Sequence, residues 1–154
     1  MKCRVIAAGT RLPDWIDAGF HDYQKRLGKP LSIELHEIAV ATRGSDPARA
    51  IAREGEAMLA AIGKDDYVVA LEVGGKPLST EGLAQWLAGR MREGGNLAFL
   101  IGGPDGLAPT CRSRAAMQWS LSPLTFPHGL VRVMLAEQIY RAASLLAGHP
   151  YHRA

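Results

Sequence analysis

Apolar positions along this chain fall into two rhythms: short unbroken runs, and longer stretches where they recur every three or four residues. Lys2 to Ala8 is an apolar run stopped by Gly9, the pattern of a buried strand. Pro13 and Asp14 then open a helical stretch in which Trp15, Ile16, Phe20, Tyr23 and Leu27 recur, closed by Gly28-Lys29-Pro30. Ser32 to Ile38 alternates, with Ile33 and Leu35 inward, and predicts a second strand. After a polar segment from Ala39 to Ser45, Asp46 and Pro47 form a cap and first-turn pair. The helix they start places Ile51, Met58, Leu59 and Ile62 on one stripe.

Tyr67 to Leu71 is apolar without alternation, as in a strand covered on both faces. Gly74-Gly75-Lys76-Pro77 predicts a turn, and Ser79 or Thr80 can cap a helix with Leu83, Trp86, Leu87 and Met91 inward. Leu97 to Ile101 is a fourth strand ending at Gly102-Gly103, and Trp119 to Leu121 a brief fifth. A last helix from Leu130 to Leu146 buries Val131, Met134, Leu135, Ile139, Ala142 and Leu146. On this periodicity Arg132 and Arg141 both face away from the core. Strands alternating with helices predict one α/β domain over 1–154, with a mostly parallel sheet of about five strands flanked on both faces.

At 154 residues, with 47% apolar and 21% charged residues, the chain has the size and composition of one folded domain. No apolar run approaches the roughly 20 residues that span a bilayer, and the apolar run after the basic start is too short for the core of a secretion signal. The expectation is a soluble, cytoplasmic protein without membrane contact. Cys3 and Cys111 belong to no CxxC pair and read as buried, reduced thiols. Net charge is only +3, but from Pro127 onward Arg132, Arg141 and Arg153 stand with three histidines against the single acid Glu137. Such a local excess suits phosphate contacts, and equally a set of solvated arginines with an ordinary Glu137–Arg141 pair.

Ligands of parallel sheets sit beyond the carboxyl ends of the strands. Three exits matter: Leu71-Glu72, Gly102-Gly103, and Leu121 to Phe126. The run Gly102-Gly103-Pro104-Asp105-Gly106 lacks the spacing of a dinucleotide fingerprint and the Lys-Ser/Thr of a P-loop. It reads as a tight turn or as backbone brought close to a ligand. Leu121 to Pro127, uncharged with two prolines, could wrap an adenine ring or simply close the core. The pair His149 and His152 has no cysteine or acidic cluster beside it, so no metal is expected.

Several stretches together resemble a known family. They are Ala7-Ala8-Gly9, Glu54-Gly55-Glu56, Leu71-Glu72 with Gly75-Lys76, and Ile101-Gly102-Gly103-Pro104-Asp105-Gly106-Leu107. They continue through Leu124-Thr125-Phe126-Pro127-His128, Val131-Arg132-Val133, Glu137-Gln138-Ile139-Tyr140-Arg141-Ala142 and Tyr151-His152-Arg153. The chain resembles the SPOUT-class methyltransferases, and within them the RlmH family of large-subunit ribosomal RNA pseudouridine methyltransferases, end to end.

That resemblance implies a C-terminal trefoil knot, a homodimer, and S-adenosylmethionine as methyl donor. It implies cofactor contacts at Leu71, Gly102, Leu121, Ser122, Pro123, Leu124, Thr125 and Phe126. The implied reaction is methylation at N3 of a pseudouridine in 23S ribosomal RNA on the assembled ribosome. His152 and Arg153 are the candidate catalytic groups, and His128, Arg132, Arg141 and Tyr151 the candidate substrate contacts. Arg43-Gly44 is a further candidate for phosphate. The rival expectations are a non-catalytic ribosome-binding or assembly factor of the same fold, and an enzyme binding a nucleotide phosphate at Gly102-Gly103.

Overall fold

A computed structural model describes residues 1–40, 42 and 44–153, with the side chains at 152 and 153 outside the description. Five strands, β1 (Lys2–Ala8), β2 (Ser32–Ile38), β3 (Asp66–Pro77), β4 (Asn96–Ile101) and β5 (Met117–Ser120), form one parallel sheet in the order β2-β1-β4-β3-β5. Five helices join or follow them: α1 (Asp14–Arg26), α2 (Pro47–Ala61), α3 (Thr80–Glu93), α4 (Pro109–Arg114) and α5 (His128–Leu146). A 3-10 turn at Pro150–Arg153 ends the chain.

Strand order decides which face each helix covers. β1 to β2 and β3 to β4 step one way across the sheet, whereas β2 to β3 and β4 to β5 step the other. Crossovers of one hand then send α1 and α3 to one face and α2 and α4 to the opposite face. The two apolar cores follow this division. Val5, Ala7, Val69 and Phe99 point to the α1, α3 and α5 side, and Ile6, Ala8, Val68 and Leu100 to the α2 and α4 side. Strand β3 is therefore covered on both faces, as its unbroken apolar run requires.

The caps form as the sequence predicts. Arg49 N donates to Asp46 Oδ1 at 3.2 Å, and Gly82 N to Ser79 Oγ at 3.0 Å. The differences lie where tertiary contact overrides local pattern. Residues 74–77 do not turn: β3 runs on through them, and Lys76 and Pro77 pair with Trp119 and Ser120 after an irregularity that follows Leu71. A Cβ on Gly75 would stand 2.7 Å from the Gln118 carbonyl carbon, so only glycine lets the two strands close here. Helix α4 went unforeseen because its six residues are too few to show a period. Trp15 and Leu146, expected inward, are 62% and 44% exposed.

Candidate functional site: a cavity at the strand exits and the two ends of the last helix

The carboxyl ends of β3, β4 and β5 meet around a cavity of about 440 Å³, within the range of small-molecule sites. Of the eight positions singled out for a cofactor, Leu71, Gly102, Leu121, Ser122, Leu124, Thr125 and Phe126 line it, and Pro123 does not. Glu72 of the first strand exit lines it too, and so do Ile101, Leu107, Trp119 and Val131, which sequence reasoning did not name as contacts. For Ile101, Leu107 and Trp119 the signal was position alone, at or near strand ends, whereas Val131 lies in the first turn of α5. His128, a candidate substrate contact, sits on the wall at the head of α5.

The cavity owes its shape to loops folded on themselves. Gly106 N donates to Gly103 O at 3.0 Å, and Gly106 adopts φ +83°. A Cβ on Gly102 would lie 2.5 Å from the Gly106 carbonyl carbon, which no side chain could survive. In the next loop Ser120 Oγ donates to Ser122 O and Leu124 N to Ser122 Oγ, both at 3.0 Å. Those bonds brace an apolar segment whose main-chain groups remain close to the cavity. The result is a mostly apolar pocket with Glu72 as the only acidic side chain lining it among the described residues. Such a wall suits a flat, uncharged ring with polar edges.

The first turns of α5 correct one expectation outright. Arg132 does not face solvent; it is fully buried. Its Nη1 donates to Glu37 Oε2 at 2.7 Å, and its Nη2 to Gly9 O at 2.7 Å and Ala8 O at 3.3 Å. Gly9, at φ +117°, leaves room for this: a Cβ there would meet Arg132 Nη2 at 3.3 Å and His128 Nε2 at 3.5 Å. Arg132 therefore ties α5 to the ends of β1 and β2, buried beneath the surface on which a phosphate was expected to meet it.

Further along the helix the surface reading holds. Arg141 Nη2 pairs with Glu137 Oε1 at 2.6 Å, and its guanidinium lies 5.1 Å from the Tyr151 ring centroid. Its hydrogen bond to Glu137 raises an already high pKa, so its charge is permanent. Tyr151 Oη donates its one proton to Glu137 Oε1 at 3.2 Å and lies within hydrogen-bond distance of the Tyr23 hydroxyl, also 3.2 Å away, and its ring meets Tyr140 edge-on with centroids 4.7 Å apart. Burial, then the Tyr23 bond, push the Tyr151 pKa up, so the phenol stays protonated. At 1.5 Å per helical residue, Glu137 and Arg141 lie about 14 and 20 Å along α5 from His128. The docked Tyr151 is therefore remote from the cavity of its own chain. The side chains of His152 and Arg153, and Arg43 in the polar loop, lie outside the described residues.

Two cysteines are buried, as expected. Burial pushes the Cys3 thiol up to about 12, and raises that of Cys111 as well. Among the described residues no group of three or more His, Cys, Asp or Glu could hold a metal, and no helix is long and apolar enough to cross a membrane.

A parallel sheet with a cavity at the exits of its last three strands defines an α/β ligand-binding arrangement, and comparison with known proteins gives its class. The family model described as "Predicted SPOUT methyltransferase" matches residues 1–152, and the chain belongs to that family. A protein of Alkalilimnicola ehrlichii named ribosomal RNA large subunit methyltransferase H is 56% identical over all of both chains. One of the same name from Pseudomonas fluorescens is 52% identical over 99% of this chain and all of its own. Among solved structures, a probable methylase family protein from Haemophilus influenzae superposes with a TM-score of 0.56, covering 97% of this chain and 69% of that one. TrmJ from Z. mobilis superposes with a TM-score of 0.53 over 90% of this chain and 69% of its own. Identities of 9% and 15% make these two a likeness of fold only.

Proposed function

We propose that this chain transfers the methyl group of S-adenosylmethionine to large-subunit ribosomal RNA, at N3 of a pseudouridine, acting as a cytoplasmic homodimer on the assembled ribosome. The observation that carries the reading is the cavity: seven positions chosen from sequence converge on one pocket of about 440 Å³. The names of the full-length relatives supply the class of RNA. The knotted topology of the family goes with this reading.

The residues present fit the donor. Main-chain groups of Gly102 to Leu107 and Leu121 to Phe126 would bind the adenine edge, with Leu71, Ile101 and Phe126 against its faces. When bound, S-adenosylmethionine supplies an activated methyl group on a sulfonium, so the protein has chiefly to align the incoming nitrogen. The N3 imide proton must leave, and the charge then spreads over the adjoining carbonyl oxygens. His152 and Arg153 are assigned to that step, one accepting the proton or the other lowering the imide pKa by its charge. His128 lies at the cavity wall where the base would enter. Tyr151 would stack on or hydrogen-bond the base. With Tyr151 docked on α5, the tail must either release or serve the cavity of the second subunit.

The test is transfer of labelled methyl from S-adenosylmethionine to ribosomes that lack their own pseudouridine methylation, with free ribosomal RNA alongside. Label at N3 of one pseudouridine, on ribosomes and not on free RNA, is the expected result. Ribosome binding without label on either substrate would support a non-catalytic binding factor instead.

A further inference from the structure

The walls of the cavity hold two of the three buried side-chain polar atoms that find no hydrogen-bond partner among the described residues: Glu72 Oε1 and Trp119 Nε1. Trp119 is 3% exposed. Burying a donor or acceptor without a partner costs about 1–3 kcal/mol, and more for a charged group, so folds rarely keep such atoms idle. The third, Arg132 Nε, belongs to a guanidinium whose other nitrogens are fully engaged. Glu72 is different. Its carboxylate has one neighbour of opposite charge, Arg112 of α4, with Nη1 3.6 Å from Oε1. That distance is too long to satisfy the oxygen by a hydrogen bond.

The position of Glu72 follows from the strand it ends. The irregularity between Leu71 and Lys76, and the close approach of Gly75 to Gln118, carry β3 past the cavity. Glu72 leaves the paired part of β3 directly after Leu71, a position already assigned to the methyl donor. A lone, oriented carboxylate in an apolar wall calls for a donor group on the ligand, since an acceptor there would be repelled.

We propose that Glu72, held by Arg112, is a binding residue that accepts a hydrogen bond from a donor group of the methyl donor. This rests on the S-adenosylmethionine reading above. With the adenine edge, and so its N6 amino group, assigned to the main chain, two other groups of the ligand have the required chemistry, a ribose hydroxyl and the cationic amino group. Arg112 is the positioning residue, acting through the carboxylate. Selectivity follows: a nucleoside carrying negative charge at that point is rejected by the same oxygen.

Titration calorimetry on the full chain tests this with three ligands: S-adenosylhomocysteine, its 2′,3′-dideoxyribose analogue and its desamino analogue. Glu72→Ala is expected to weaken S-adenosylhomocysteine about tenfold or more, the ordinary loss for a hydrogen bond to a charged group. Glu72→Gln, which keeps an acceptor and the shape of the wall, is expected to lose less, and it serves if the alanine variant fails to fold. Wild type and variant should bind one of the two analogues alike, and that analogue identifies the donor. A loss under threefold, or an equal loss against all three ligands, overturns the assignment. Absence of any binding to the wild type would instead overturn the cavity reading on which it stands.

Discussion

At the head of α5, Arg132 is sealed beneath the ends of β1 and β2, its guanidinium divided between Glu37 and two backbone carbonyls. Near the other end, Arg141 lies along the surface against Glu137 and under the ring of Tyr151. Nine residues at 3.6 per turn make two and a half turns, so the two arginines stand on opposite faces of one helix, Arg132 in line with the buried Leu135, Ile139 and Ala142. The rest of the fold completes the difference by what it brings to each face. Gly9 leaves room beside Arg132, and Glu37, distant in sequence, supplies the countercharge. Arg141 meets only its own helix, Tyr23 of α1 through Tyr151, and the tail. The first end is tied to the ends of β1 and β2, and the second carries the docked Tyr151.

Replacing Arg132 should produce the largest effect. Arg132→Ala removes a buried cation and strands two carbonyls, and the loss in unfolding free energy should be about 2–4 kcal/mol by urea denaturation. The range is set below that of a wholly buried pair because Glu37 is 36% exposed. A loss below about 1 kcal/mol would mean that the two ends of the helix are alike after all.

Arg141→Ala should cost under about 1 kcal/mol of stability. Its effect should appear in ribosome binding, with the slope of log affinity against log salt flattened by about one unit. An unchanged slope would confine Arg141 to holding the tail. Tyr151→Phe, smaller still, removes the hydroxyl bonds to Glu137 and Tyr23 and should cost about 0.5–1 kcal/mol. Limited proteolysis should then cut the tail faster while the rest of the chain resists, and an unchanged cutting rate would deny the hydroxyl its anchoring part.

Cys3 supplies the mildest test, on the buried sheet rather than the helix. Its thiol should resist a disulfide reagent at pH 8 until urea unfolds the chain. Because the folded pKa of about 12 lies above the ordinary 9.0, the folded state holds that proton more tightly. The stabilisation is complete below pH 9 and is lost as pH rises towards 12. A fast reaction in the native state would show β1 to be open.

Much of this architecture was legible because it depends on local pattern. Apolar runs marked the strands, and Asp46, Pro47 and Ser79 marked helix starts that the structure keeps. The strand exits were legible too, since glycines and prolines interrupt apolar runs where β4 and β5 end. What escaped depended on partners far away in sequence. Arg132 falls in line with Leu135, Ile139 and Ala142, yet its charge argues for an outward place until Glu37 and the carbonyls of Ala8 and Gly9 are set beside it. The continuation of β3 through Gly74 to Pro77 needs β5 as its template, because a glycine pair followed by Lys-Pro has every local mark of a turn. Glu72 could be read as a strand end, but the isolation of its carboxylate appears only once Arg112 and the apolar wall surround it.

The most direct test of the central claim is a crystal structure of the full chain grown with S-adenosylmethionine. The account predicts density for the nucleoside between the exits of β3, β4 and β5, with the adenine against the main chain of Leu121 to Phe126. Nucleoside density at any other place on the molecule, with that cavity clear, would contradict it.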